Sequence, residues 1–323
     1  MKAKAIAFLI FATLSATHAL AQGKWPERTI TLIVPTGAGS ATDITARVMA
    51  TEISKAINGT VVVENLAGSS GIPAMRAAAQ AAPDGHTFLF AKSSGMSINP
   101  VSFKSLPYDP TRDYDAVAIV ADLAPIMLSV HKDMPVKSLP ELIAYVKANP
   151  GKVSYGVDAT TGGPVFFGKM LNVRGKMDMA AVPYRSSAQM VQDAGQARFS
   201  VLVSSIAAAH PEVSTGNLRP IALFASRRFP TLPDLPTIAE TLPGTDFDTW
   251  FSVVAPKGTP AEAVNRVNKA IAEFLQRPET KERLYKIGLD MGPPKTPAQS
   301  AEYIRNQQEM WRKLAAERGV EPQ

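Results

Sequence analysis

Residues 34–43 read Val34-Pro35-Thr36-Gly37-Ala38-Gly39-Ser40-Ala41-Thr42-Asp43. An apolar run, Thr29-Ile30-Thr31-Leu32-Ile33-Val34, leads into this stretch. Apolar residues at helical spacing (Ile44, Val48, Met49, Ile53, Ala56 and Ile57) lead out of it. The pattern is a strand, a tight glycine turn and a helix N-terminus, with Ser40 and Asp43 spaced as a capping box. Such a turn gathers free backbone N–H groups at the positive end of a helix dipole and holds an anion without a basic side chain. The loop lacks the Gly-Lys-Ser/Thr of a phosphate-binding loop and the third glycine of a dinucleotide fingerprint. A nucleotide is therefore a poor fit.

The same logic recurs outward from this point. Asn58-Gly59 closes the helix, Val61-Val62-Val63 predicts a short strand, and Gly68-Ser69-Ser70-Gly71 is a second tight turn before a helix over 75–82. Pro83-Asp84-Gly85 is a turn in which proline sets φ and glycine supplies a positive φ, and a strand follows over 87–91. Strands are expected at 117–121 and 126–130. A helix capped by Ser138 and Glu141 carries Leu142, Ile143 and Val146 and stops at Asn149-Pro150-Gly151. After a strand over 153–157, Asp158-Ala159-Thr160-Thr161-Gly162-Gly163-Pro164 repeats the opening motif. Further strands are expected at 199–203 (ended by Ser204-Ser205), 218–225 and 249–255, with a helix over 206–213. Thr259-Pro260 and Thr296-Pro297 open the last two predicted helices, with Pro260 suited to a first helical position. Strands alternating with helices at this spacing predict parallel α/β architecture.

The chain of 323 residues is 46% hydrophobic and 19% charged, which is globular and long enough for two domains. Lys2 and Lys4, an apolar run over 5–16 and Ala19-Leu20-Ala21 form a secretory leader, with cleavage expected before Gln22. Its removal takes the formal charge from +6 to +4, and the basic residues are scattered. That bias suits anionic solutes and gives no nucleic-acid footprint. The absence of cysteine excludes disulfides, thiolate metal sites and a cysteine nucleophile. The histidines His86, His131 and His210 form no metal-ligand spacing and read as surface or loop residues. Gly-x-Ser-x-Gly is missing, and acid pairs such as Asp113 with Asp115, or Asp246 with Asp248, read as solvated turns. Glycine turns in two separate halves, without a catalytic constellation, point to a binding protein that needs no cofactor.

The residues also carry a family likeness from Trp25 to Gly319. It includes Trp25-Pro26-Glu27-Arg28-Thr29-Ile30-Thr31-Leu32-Ile33-Val34-Pro35, Val61-Val62-Val63-Glu64-Asn65, Ala82-Pro83-Asp84-Gly85-His86-Thr87 and Leu106-Pro107-Tyr108-Asp109-Pro110. Later segments are Asn149-Pro150-Gly151-Lys152-Val153-Ser154-Tyr155-Gly156, Gly216-Asn217-Leu218-Arg219-Pro220-Ile221-Ala222 and Leu232-Pro233-Asp234-Leu235-Pro236-Thr237. In these the chain resembles the periplasmic substrate-binding proteins of tripartite tricarboxylate transporters, the Bug- or TctC-type receptors. The resemblance implies an α/β, two-lobe Venus-flytrap fold with two crossovers, each lobe a mostly parallel sheet flanked by helices. Lobe 1 would take residues 22–125 plus 248–323, and lobe 2 residues 126–247. A small carboxylate would lie between the lobes, held by loop N–H groups and bridging waters. Membrane subunits of a secondary transporter would be transient partners of a monomeric periplasmic receptor.

On that reading Ala38, Gly39 and Ser40 capture a carboxylate from lobe 1, and Thr36 at the strand end adds a hydroxyl. Thr160, Thr161, Gly162 and Gly163 supply the opposing site. Ser93 and Ser94 in lobe 1, and Ser204 and Ser205 in lobe 2, line the cleft at strand carboxyl ends. Arg185 is a candidate bidentate partner, with an ordinary surface arginine as the alternative. Phe166 or Phe167 could face an apolar ligand body, although core packing is the stronger expectation for both. Asp43 reads as loop support. The family's usual Phe-Asp is replaced by Ser204-Ser205, which removes a partner for a ligand ammonium. Non-amino organic acids, di- or aromatic, are therefore favoured over amino acids. A sensor presenting ligand to a signalling partner is the alternative; an exported hydrolase lacks a nucleophile with its base.

Overall fold

The computed structural model describes residues 25–157, 163–184, 186–245 and 247–317. The leader lies outside this range. The first sheet is built from β1 (Ile30–Val34), β2 (Val61–Asn65), β3 (Thr87–Lys92), β4 (Tyr114–Ala121) and the late strand β10 (Phe251–Pro256). Its order is β2-β1-β3-β10-β4. The second sheet uses β5 (Ile126–His131), β6 (Ser154–Val157), β7 (Ala180–Pro183), β8 (Val201–Ser205) and β9 (Leu218–Phe224), in the order β7-β6-β8-β5-β9. In each sheet one strand, β10 or β5, runs against both neighbours, and the other four point the same way. The two sheets are thus one topology used twice, each completed by a strand that arrives directly from a crossover.

Alternation along the strands sends side chains to both faces, and both faces are covered. In β1, Ile30, Leu32 and Val34 face a layer made by α1 (Ala41–Ile57) and α8 (Ala261–Leu275), through Met49, Ile53, Val267 and Ile271. Ile33 faces the other side, against Ala74, Met75 and Ala78 of α2 (Ile72–Gln80). A short helix, α3 (Asn99–Ser102), follows a π-helical turn over Ser94–Ile98 after β3. In the second sheet, Leu128, Val130, Val201 and Val203 pack on α4 (Leu139–Ala148) and α5 (Gly163–Gly175). Met127, Leu202 and Leu223 face α6 (Ser187–Gly195) and α7 (Ile206–Ser214). The remaining helices are α9 (Pro278–Lys286) and α10 (Pro297–Glu317).

Helix α10 joins the two halves. Its Tyr303 meets Trp250 edge-on at 5.7 Å beside the first sheet, whereas Trp311, fully buried, lies 5.1 Å from Phe166 and 4.8 Å from Phe247 in the second core. Among the described residues, no helix is long and apolar enough to cross a membrane.

Close packing fixes α5 against its sheet. A Cβ on Gly168 would come 1.9 Å from the Tyr155 ring, which is itself buried. We expect Gly168→Ala to lower stability by about 1–3 kcal/mol, read as an earlier thermal midpoint, because an overpacked core must shift to admit the methyl.

Several local expectations need correcting. Pro260 is the residue before α8, with extended backbone, not its first helical residue. Ser204 and Ser205 complete β8 rather than follow it. His86 does lie in a loop, the bend before β3, and His131 ends β5, but both are buried and not on the surface: His86 Nε2 accepts from Glu27 N at 3.3 Å, and His131 Nδ1 from Asp133 N at 3.3 Å. Asp115 sits within β4 and takes Lys257 Nζ at 2.6 Å, and Asp248 accepts from Ser226 N and Oγ, so neither is a bare solvated turn. Asp246 lies outside the described residues.

Candidate functional site

The repeated topology sets the site. β1, β2, β3 and β4 share one direction, so the loops after β1, β2 and β3 emerge together at their carboxyl ends. β6, β7 and β8 do the same in the second sheet, and the loop after β1 corresponds to that after β6. The reversed strand starts beside the end of the third parallel strand in each case, as Phe251 opposite Lys92 and Ile126 opposite Ser205. Both crossovers therefore reach the sheets at the same edges as these loops.

In the loop after β1, Pro35 is buried, Thr36 half-buried, and Gly37, Ala38 and Gly39 exposed. Gly39 has φ +79°, the left-handed region in which glycine carries no steric penalty. Ser40 caps α1, its Oγ accepting from Asp43 N at 3.2 Å while lying 2.8 Å from Thr36 Oγ1. Only half of the expected capping box forms. The Asp43 carboxylate reaches past Ser40 to accept from Gly39 N at 2.8 Å. It also accepts from Asn65 Nδ2 at 2.8 Å and from Arg47 Nε at 3.0 Å. Asn65 holds Thr36 O at 2.9 Å as well, and Arg47 Nη2 reaches Asn65 Oδ1 at 3.0 Å. Burial raises the Asp43 pKa, but the hydrogen bonds from Arg47, Asn65 and Gly39 outweigh it and hold the carboxyl below its ordinary value. An anionic Asp43 braced in this way ties the loop to α1 and β2, with its charge taken up by these donors.

The N–H groups of the loop divide accordingly. Gly39 N serves Asp43, and Ser40 N serves Gly37 O at 3.4 Å. Those of Gly37, Ala38, Ala41 and Thr42 make no hydrogen bond among the described residues. These four, rather than Gly39 and Ser40, are the available donors at the α1 N-terminus. The serine pairs at the strand ends are less open than expected. Ser93 is buried and donates its N–H to Trp250 O at 2.9 Å, leaving Ser94 as the half-exposed member. Ser204 is buried and donates to Ser205 O at 3.2 Å, while Ser205 Oγ caps α7 by accepting from Ala208 N at 3.3 Å. Thr160, Thr161, Gly162 and Arg185 lie outside the described residues, and Gly163 begins α5. Phe166 and Phe167 are core residues packed among Phe224, Phe247 and Trp311. The Arg47–Asp43 spacing of four was visible in the sequence as a helix pair. Asn65 carried no signal of its role, since it meets Asp43 only through the β1–β2 pairing.

A second charged group ties the crossovers. Arg227 Nη2 donates to Asp290 Oδ2 at 2.8 Å and lies 3.8 Å from Asp122 Oδ1, and Lys295 Nζ stands 3.5 Å from Asp122 Oδ2. Asp122 N and Leu123 N both donate to Asp290 O. Burial raises the Asp248 pKa despite its bonds from Ser226. Among the described residues, no group of three or more His, Cys, Asp or Glu could hold a metal.

The family model described as "Tripartite tricarboxylate transporter family receptor" matches residues 45–320. The chain belongs to that receptor family. The receptor is 30% identical to the protein BugT of Bordetella pertussis over 322 residues, covering 98% of this chain and 97% of BugT. Among solved structures it is similar to R. palustris Rpa4515 with adipate, at 33% identity and a TM-score of 0.85, over 93% of this chain and 100% of that one. It is also similar to MatC (Rpa3494) from Rhodopseudomonas palustris with bound malate, at 28% identity and a TM-score of 0.82, over 90% and 100% of the two chains. The receptor therefore has the two-lobe α/β fold of periplasmic binding proteins, and it is a solute-binding protein rather than an enzyme.

Proposed function

We propose that this receptor captures a small organic acid between its lobes, a di- or aromatic carboxylate in preference to an amino acid, and delivers it to the membrane subunits of a tripartite tricarboxylate-type transporter. The observation that carries this reading is the loop over 35–43. Among the described residues, the N–H groups of Gly37, Ala38, Ala41 and Thr42 stand free there at a helix N-terminus, and the nearby carboxylate of Asp43 is already held by Gly39, Asn65 and Arg47. An acid fits such a donor set, whereas an α-ammonium finds no free partner in it. The adipate and malate held by the two similar structures are both dicarboxylates without an ammonium. Lobe 1 over 22–125 plus 248–323 and lobe 2 over 126–247 would close on the acid about the crossovers, a hinge motion. Thr160, Thr161, Gly162 and Gly163 would supply the opposing donors, with Ser94 and Arg185 at the rim. Export after cleavage before Gln22 and action as a monomer complete the proposal.

Thermal denaturation with mono-, di- and tricarboxylates, aromatic diacids and acidic amino acids tests it. At 100 times its dissociation constant a bound acid adds about 2.7 kcal/mol of stability. Stabilisation by a non-amino dicarboxylate is the expected result. No stabilisation by any acid, or stabilisation by amino acids alone, would overturn the proposal.

A further inference from the structure

We propose that Asn99 and Tyr108 are positioning residues for the acid-binding loop, a role that rests on the ligand reading above. The Leu106-Pro107-Tyr108-Asp109-Pro110 segment is a prominent motif of this sequence that the site so far leaves without a task. Its tyrosine runs back under the strand ends. Tyr108 is 6% exposed, and its hydroxyl donates to Gly95 O at 2.8 Å inside the π-helical turn after β3. The same oxygen accepts from Asn99 Nδ2 at 3.1 Å, and Asn99, fully buried, gives its other amide hydrogen to Ser70 O at 3.1 Å. Burial raises the phenol's pKa far above its ordinary value, so it remains a donor at any working pH.

This chain of bonds locks the turn over 69–71 to the turn over 94–98. The first turn needs a lock: Ser70 sits at φ 57°, a left-handed conformation disfavoured for a residue with a Cβ, and Gly71 follows at φ +81°. The turn presses in its turn on the acid-binding loop, since a Cβ on Gly71 would come 3.0 Å from Pro35 Cβ. Pro35 is the buried first residue of that loop, and Asn65 at the end of β2 grips Thr36 O from the same side. The path from Tyr108 therefore runs through Asn99, Ser70 and Gly71 to Pro35, behind the free N–H groups of Gly37 and Ala38. Neither Asn99 nor Tyr108 needs to touch the acid to set how firmly those donors are aimed.

Tyr114 provides an internal control. It is equally buried at 6%, packs edge-on against Tyr108 at 6.4 Å, and donates to Met75 O at 2.6 Å, in α2 rather than in a loop. Tyr108→Phe and Tyr114→Phe each delete one buried hydroxyl, and Asn99→Leu removes the lock from the other end. Amide hydrogen exchange of the acid-free protein reads the lock directly. Tyr108→Phe should speed exchange over 66–71 and 35–40 about tenfold or more, and Tyr114→Phe should leave both segments unchanged. Titration with adipate as the probe should show a dissociation constant about tenfold weaker in Tyr108→Phe and Asn99→Leu, at a thermal midpoint matched by Tyr114→Phe with unchanged affinity. Exchange over those segments that does not respond, or responds equally in both phenylalanine variants, overturns the proposal. Wild-type protein that fails to bind adipate counts against the ligand reading, and the exchange comparison then decides the positioning role alone.

Discussion

Asp43→Ala should cost about 2 kcal/mol of stability and weaken acid binding by about a hundredfold. The stability loss follows from leaving Gly39 N and one of the two Asn65 Nδ2 hydrogens without an acceptor in a partly buried place, at roughly 1–3 kcal/mol for such a group. The Arg47 guanidinium, half exposed, can turn to solvent and adds little. The affinity loss is larger than the stability loss suggests. Asp43 touches three elements of the loop's frame, and a hundredfold is about 2.7 kcal/mol of misaimed donors. Asp43→Asn should fall between the two, because an amide keeps one acceptor but loses the charge that attracts Arg47. The sign of the pH dependence is fixed. The folded carboxyl titrates below its ordinary value, so its contribution is whole above about pH 4 and fades as the pH drops through the folded value. Urea unfolding of wild type and Asp43→Ala at pH 3 and pH 6 should show the difference at pH 6 and a smaller one at pH 3.

Trp311→Ala should be the most destabilising single change in the terminal helix, at about 3–5 kcal/mol. Trp311 fills the second core from a helix whose earlier turns pack on the first, between Phe166 and Phe247. With roughly 2–4 °C per kcal/mol for a chain of this size, the midpoint should fall on the order of 10 °C. Trp311→Phe should be much milder, because the indole Nε1 is buried with no hydrogen-bond partner among the described residues and phenylalanine forfeits no bond. Differential scanning calorimetry of both variants checks this. Equal losses would mean that the cavity is not the cause. Phe166 and Phe167 lie in the first turns of α5, so the alanine variant should also bind acid more weakly.

Much of the fold was legible because the inner strands are buried on both faces while the edge strands β2 and β7 are not, and because the helices bury one face. Runs such as Ile30-Thr31-Leu32-Ile33-Val34 and the spacing of Val264, Val267 and Ile271 state their structure locally. What escaped was set at a distance. β7 and α6, which come after α5, are short, mixed runs such as Ala180-Ala181-Val182-Pro183, whose strand character comes from pairing with β6. Thr296 showed its value as a cap directly, giving and taking hydrogen bonds with Gln299, whereas Pro260 stops one residue short of the helix it was expected to enter. Within the site, the turn and its serine cap could be read from spacing. That Gly39 N turns inward to Asp43 while Gly37 N and Ala38 N stay free could not, because the choice depends on where Asn65 and Arg47 hold the carboxylate. Ser93 and Ser204 looked like cleft residues by position, yet both are buried, Ser93 giving its N–H to Trp250 O and Ser204 lying opposite Met127 within the sheet.

On the proposed function, the free N–H groups at the start of α1 grip a carboxylate. Titration of ¹⁵N-labelled protein with adipate, malate and an aromatic diacid, followed by amide chemical shifts, tests it most directly. Saturable one-to-one binding by at least one of these acids is expected, with the largest shifts at Gly37, Ala38, Ala41 and Thr42 and at residues 158–163. Saturable binding that leaves the four amides of the first loop unmoved, or no saturable binding by any of the acids, would contradict it.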